Sequence, residues 1–273
     1  MGAYKLLAID MDGTLLRSDK TISPSTVEAL GRATEAGVAC ALATGRAISE
    51  LADYERDLTG IVRFACLLSG AQVADLATGR SFSVRPLGAE LVRKVCAHGH
   101  AVNAMVQLFT DSVAVMERRD VERMPELGQG IYQSLAYERG LLVDDIVAWA
   151  DEHGHEVLKA NVHHVDEATL ASSWEAFGPL PITCAGGESL TIEMTAKGVT
   201  KGTGIAELCE HLGIAPSEVV CVGDSENDLA AISVAGLSVA MGNACPPMLE
   251  AADAVVADND HDGIVELVER WLL

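Results

Sequence analysis

Two carboxylates one residue apart, Asp10 and Asp12, end the apolar run Leu6-Leu7-Ala8-Ile9 and lead into Gly13, Thr14 and two leucines. Side by side in a dry site they cannot both stay ionised unaided, so the pair implies a metal ion, a shared proton or solvent. Asp12-Gly13 alone would read as an ordinary turn. Other reactive groups follow apolar runs in the same way. Thr44-Gly45-Arg46 closes the run at 38–43, and Gly223-Asp224-Ser225-Glu226-Asn227-Asp228 closes the run at 219–222. Lys201 stands at the start of a helical pattern. A cation is unfavourable at that end of a helix, so its placement favours an anionic neighbour over simple solvation.

The elements that must position these groups alternate. Runs of four to six apolar residues at 6–9, 38–43, 64–68 and 219–222 suit strands buried on both faces. Helical patterns lie between them. Ser23-Pro24 reads as an N-cap with proline at the first helical position, and Gly37 closes that helix. Further helices are expected at 47–57, 202–212, 226–235 and 262–272, and short strands at 237–241 and 254–257. Strand–helix alternation predicts an α/β fold, a Rossmann-like parallel sheet with helices on both faces. All strands then end at one edge, where such sheets bind ligands, so distant residues converge.

Between about residues 81 and 188 the pattern changes. After a helix at 89–98, the segments 102–108, 157–164 and 189–194 alternate apolar and polar residues, the mark of a sheet covered on one side. This predicts an inserted α+β domain at 82–187 within a core of 1–81 and 188–273. Its polar face would carry Asn103, Lys159, Asn161 and His163, a candidate roof over a substrate. His98-Gly99-His100 and His153-Gly154-His155 each close a helix, and their glycines read as helix C′ residues rather than parts of a metal site.

Composition narrows the partners. The 273 residues carry a net charge of −21, which disfavours nucleic acid and anionic membranes but not a small phosphorylated compound held by one local cation. Aromatic residues are only 4%, so the core must be largely aliphatic. Seven irregularly spaced cysteines, with no Cys-x-x-Cys, suit buried thiols in the cytoplasm. No signal peptide is read before residue 6, and no apolar run has the length of a membrane span.

Asp10-Met11-Asp12-Gly13-Thr14, Thr44-Gly45-Arg46, Lys201-Gly202 and Gly223-Asp224-Ser225-Glu226-Asn227-Asp228, in that order, resemble the four signatures of the haloacid dehalogenase (HAD) superfamily. The insertion between the second and third resembles the type IIB cap of its Cof-like phosphatases, as does Ala240-Met241-Gly242-Asn243-Ala244. The resemblance covers essentially the whole chain. It implies a phosphatase of small phosphorylated metabolites, with Asp10 as nucleophile and Asp12 as general acid and base. Mg2+ would be held by Asp10, the Asp12 carbonyl and Asp224, with Asn227 and Asp228 supporting from behind. Thr44, Gly45, Arg46, Lys201 and Asn243 would meet the phosphate or substrate, and Lys159, Asn161 and His163 would meet it from the cap. Two departures stand out: Ser69 precedes Gly70 where many Cof-like members have Asn, and Leu229-Ala230-Ala231 stands where a Met is usual.

Three other readings compete. A phosphomutase of the same superfamily would isomerise its substrate rather than release phosphate. A signalling receiver module also uses acidic residues with Thr and Lys, but is about half this length and has no place for the insertion. A non-catalytic metabolite-binding protein is disfavoured by the complete set Asp10, Asp12, Lys201 and Asp224. Monomer and homodimer both remain open.

Overall fold

A computed structural model describes residues 4–187 and 190–273. The strands, in chain order, are β1 (Leu6–Ile9), β2 (Ala39–Ala43), β3 (Val62–Leu67), β4 (Gln72–Asp75), β5 (Arg80–Val84), β6 (Met105–Phe109), β7 (Ala114–Glu117), β8 (Leu141–Val143), β9 (Lys159–His163), β10 (Ile182–Gly187), β11 (Thr191–Ala196), β12 (Val219–Gly223), β13 (Leu237–Ala240) and β14 (Ala254–Val255). The chain divides into two compact units. One comprises Met1–Gly45, Asp53–Ser83 and Thr200–Leu273; the other comprises Arg46–Ala52 and Val84–Val199. No described helix is long and apolar enough to cross a membrane.

The first unit is built on an eight-stranded sheet of order β14-β13-β12-β1-β2-β3-β4-β5. From β14 to β3 all neighbours are parallel. Leu6, Leu7 and Ile9 are fully buried, as strands covered on both faces require. The register pairs Ile9 with Leu42 on one side and with Val222 on the other. The residues after β1, β2 and β12 therefore emerge level at one edge. Ser23 caps the helix Pro24–Glu35 by accepting from the Thr26 N–H, and Gly37 follows it at φ 93°. Thr200 opens the helix Lys201–Leu212 with a capping box.

Three features depart from the sequence expectation. The sheet continues beyond β3 into the antiparallel β4 and then β5. These strands are short and polar, and lack the apolar runs that marked the others. The helix expected at 47–57 is a 3-10 turn, Ile48–Tyr54, followed by Glu55–Leu58. The helix expected at 226–235 is likewise a 3-10 turn, Glu226–Asp228, then Leu229–Ile232. There the Asp228 carboxylate accepts from the Asp224 and Ser225 N–H groups, which tightens the first turn.

The second unit has a six-stranded, mostly antiparallel sheet of order β10-β11-β9-β6-β7-β8. Its apolar face, including Val106, Leu108, Val162, Ile192 and Met194, packs with residues of the helices Ala89–Ala101, Ile146–His153 and Glu167–Phe177. The opposite face carries Gln107, Lys159, Asn161 and His163, but it is not an open, solvated surface. Lys159 is 1% exposed and His163 3%. Met124 and the segments Gly130–Tyr132 and Gln133–Arg139 wall a cleft with Gln107 and Met116 on this side. Asn103 is not on that face. It turns the chain before β6 at φ 55° and binds Arg123. Gly99 is not a C′ residue either. It lies within Ala89–Ala101, where a Cβ would collide with Val106, so it serves close helix–sheet packing. Ser189, expected to open the last of these strands, lies outside the described residues.

Candidate active site

Asp10 follows β1 directly, and its N–H donates to the Val222 carbonyl at 3.1 Å, tying it to β12. Lys201, at the first turn of its helix, reaches the same strand edge. Its Nζ donates to Asp10 Oδ1 at 2.7 Å and to Asp228 Oδ1 at 2.6 Å, and Lys201 is only 2% exposed. Burial works against the ammonium, but the charges of Asp10 and Asp228 outweigh it and raise its pKa. Burial, together with the charge of Asp228, pushes the Asp10 carboxyl well above the usual range, against the pull of Lys201. Burial, then Asp228, pushes Asp224 up to about 6.

Carboxylate oxygens of Asp10, Asp224 and Asp228 lie within 4.8 Å of one another. Three carboxylates around one ammonium leave a formal excess of negative charge in a buried place. The donors are all oxygen, the set that suits a hard divalent cation. Asp228 is already engaged through both oxygens, with Lys201 on one and two backbone N–H groups on the other. Asp10 and Asp224 are therefore the better placed to hold an ion.

Asp12, two residues past Asp10, is more exposed and pairs with Lys20 Nζ at 2.8 Å. Thr44 is buried at the end of β2, with its N–H on the Cys66 carbonyl and its carbonyl accepting from the Ser69 N–H. Gly45 closes the same segment, whereas Arg46 belongs to the second unit. Asn227 accepts from Ser225 Oγ. Asn243 donates to the Gly13 carbonyl at 2.8 Å and accepts from the Asn259 N–H, so it braces the loop after β1. In the second unit, Lys159 pairs with Glu193 at 2.8 Å, and His163 sits between Thr191 and Gln107.

Two contributors escaped the sequence reading. Thr14 Oγ1 donates to Asp224 Oδ1 at 3.2 Å, linking the first motif to the last. It stood inside the motif and was legible by position. Lys20 was not, because only the fold of the loop brings it back to Asp12. Gly13 is required where it stands: at φ 77°, a Cβ would collide with the Asp224 carboxylate. Ser69 has φ 56° and ψ 33°, after Leu68 at φ 51°. Asn tolerates this left-handed conformation better than serine, which gives a backbone reason for the residue usual there.

The family model for haloacid dehalogenase-like hydrolases matches residues 7–268. The 5-amino-6-(5-phospho-D-ribitylamino)uracil phosphatase YcsE of Bacillus subtilis is 28% identical, over 98% of this chain and 96% of its own. A haloacid dehalogenase-like hydrolase of Bacteroides thetaiotaomicron superposes with a TM-score of 0.84 at 26% identity, covering 98% of this chain and 99% of that one. A HAD subclass IIB sugar phosphatase shares the fold, with a TM-score of 0.84 at 23% identity over 98% of this chain and 100% of its own. With the motif residues brought to one sheet edge, these likenesses are decisive: the chain belongs to the haloacid dehalogenase-like hydrolases, in their Cof-like IIB branch, and is a hydrolase of phosphate esters.

Proposed function

We propose that the protein is a Mg2+-dependent phosphatase of small metabolites such as sugar phosphates, nucleotides or phosphorylated cofactors, working through an aspartyl-phosphate on Asp10. The observation that carries this reading is the buried Asp10 carboxylate held by Lys201, itself anchored on Asp228. A Asp10 carboxylate oxygen attacks phosphorus and the ester P–O bond breaks, while Asp12 gives its proton to the leaving alkoxide. Water then attacks the same phosphorus and passes a proton to Asp12. The bond to Asp10 breaks, and phosphate leaves. Lys201 offsets charge on the transferring group, and the Thr44 hydroxyl and Gly45 N–H donate to its oxygens.

The carboxylates of Asp10 and Asp224, with the Asp12 carbonyl, would hold Mg2+, which offsets repulsion between the nucleophile and a phosphate dianion. Asn227 and Asp228 keep that arrangement in place. Arg46, Lys159, Asn161 and His163 meet the body of the substrate, with the insertion at 82–187 acting as the selecting domain. Asn243 helps hold the phosphate loop. The relatives named for ribitylaminouracil and sugar substrates support a polar, hydroxylated substrate. We place the protein in the cytoplasm, given its free cysteines, as a monomer or homodimer without nucleic acid or membrane partners.

The test is phosphate release from a panel of phosphorylated metabolites, with Mg2+ or with chelator, wild type beside Asp10→Asn. Release that needs Mg2+ and is lost in the variant is expected. Substantial turnover by Asp10→Asn would remove the covalent route. Failure of well-folded wild type to release phosphate from any compound would move the reading to a mutase or a binding protein.

A further inference from the structure

In the second unit, Gln107 on β6 and Asn161 on β9 are register partners, so their side chains leave the same face of the sheet. Asn161 is 8% exposed, and its Oδ1 is out of contact with water and without a hydrogen-bond partner among the described residues. A buried, unsatisfied acceptor is a cost that a leucine would not carry, so its presence points to a ligand.

Gln107 is oriented by its neighbour. His163 Nε2 lies 3.2 Å from Gln107 Oε1, and His163 Nδ1 lies 2.8 Å from Thr191 Oγ1. Burial keeps this imidazole neutral, with one N–H to give. With the Thr191 hydroxyl donating to Nδ1, Nε2–H donates to Gln107 Oε1. The Gln107 NH2 is then turned away from His163 and binds nothing among the described residues. Gln107 also lines the cleft whose wall includes Ser49, Glu50, Tyr132 and Arg139. Ser49 and Glu50 follow Thr44-Gly45-Arg46 closely in the chain.

We propose that Gln107 and Asn161 are a specificity-determining pair that reads hydroxyl groups on the substrate body. The NH2 of Gln107 donates to a hydroxyl oxygen, and the hydroxyl proton goes to Asn161 Oδ1. A polyol or open-chain sugar phosphate satisfies both, and an alkyl phosphate of equal length satisfies neither. The proposal rests on the phosphatase reading and names its substrate class.

The experiment compares ribitol 5-phosphate with n-pentyl phosphate, matched in carbon count but stripped of hydroxyls. With Mg2+ present, the ratio of their kcat/KM values is measured for wild type, Asn161→Leu and Gln107→Leu. Wild type should favour ribitol 5-phosphate, and each variant should lower the ratio by about tenfold or more. Asn161→Leu should also raise the urea midpoint, because it removes an unsatisfied acceptor, whereas a structural asparagine would make it fall. An unchanged ratio in both variants overturns the proposal. If wild type releases phosphate from no compound, the phosphatase reading falls, and calorimetry with ribitol 5-phosphate decides the pair. Binding weakened about tenfold in Asn161→Leu upholds it, and equal or absent binding overturns it.

Discussion

Lys201→Met would keep the buried stem and delete the ammonium that Asp10 and Asp228 share. The penalty has a ceiling, because a stranded carboxyl can take up a proton. From the ordinary value of 3.8 for Asp10, at about 1.36 kcal/mol per pH unit, that escape costs about 4 kcal/mol at pH 7 but only about 2 kcal/mol at pH 5. Removing one partner of a buried ion pair costs about 3–5 kcal/mol in general, so the pH 7 loss should lie near the ceiling. The assay is urea unfolding in chelator at both pH values, wild type beside Lys201→Met. Taking the difference between proteins cancels the histidines, which titrate in the same window. Adding Asp228→Asn to Lys201→Met should recover part of the loss, since the two share one network. A loss below about 1 kcal/mol at pH 7, or one no smaller at pH 5, would refute the reasoning.

Three further outcomes follow from the same groups. Asp224, raised to about 6, has a folded pKa above its unfolded one of 3.8, so it destabilises the metal-free protein fully above pH 6, and that penalty fades as pH falls from 6 toward 3.8. In chelator at pH 7.5, Asp224→Asn should therefore be the more stable protein by about 2 kcal/mol, after discounting for its partial exposure, with the gap closing toward pH 4 in urea titrations. His163 is lowered to about 4, chiefly by burial, so its contribution is complete above about pH 6.5 and is lost as pH falls toward 4. His163→Gln should flatten the pH dependence of stability over that window by about 3 kcal/mol, read from urea midpoints. Ser69→Asn should gain about 0.5 kcal/mol and Ser69→Val should lose about 1–2 kcal/mol in thermal melts, because residue 69 is left-handed.

Much of this was legible because burial on both faces writes itself as continuous apolar runs. Leu6–Ile9 and Val219–Gly223 could hardly be anything but interior strands, and the polar residues after them had to share an edge. That Asp10, Lys201, Asp224 and Asp228 come together was thus legible from type and place. Strands β4 and β5 were not, because an edge hairpin needs no apolar run. The polar face of the second sheet was legible as a candidate roof apart from Asn103, but the burial of Lys159 and His163 on it was not. Alternation tells which side a residue takes, not what covers it. Lys20 was beyond reach because it lies eight positions past Asp12, across an irregular loop. Gly99 looked like a helix stop until its contact with Val106 was seen.

Strand β1 is bordered by β2, which follows it closely, and by β12, which is made much later. On the ribosome, at about 5–20 residues per second, synthesis from Ala43 to Val219 takes roughly 10–35 seconds. Throughout that interval the Leu6–Ile9 edge has no β12 to pair with, and an open apolar strand edge invites pairing with other chains. The hazard to this protein therefore belongs to its birth rather than to its working life, and a chaperone would be needed before β12 exists, not after. The same order of events is a safeguard. Asp10 and Lys201 stand 191 residues apart, so no nascent chain that stops short of Lys201 can hold a phosphoryl group between them.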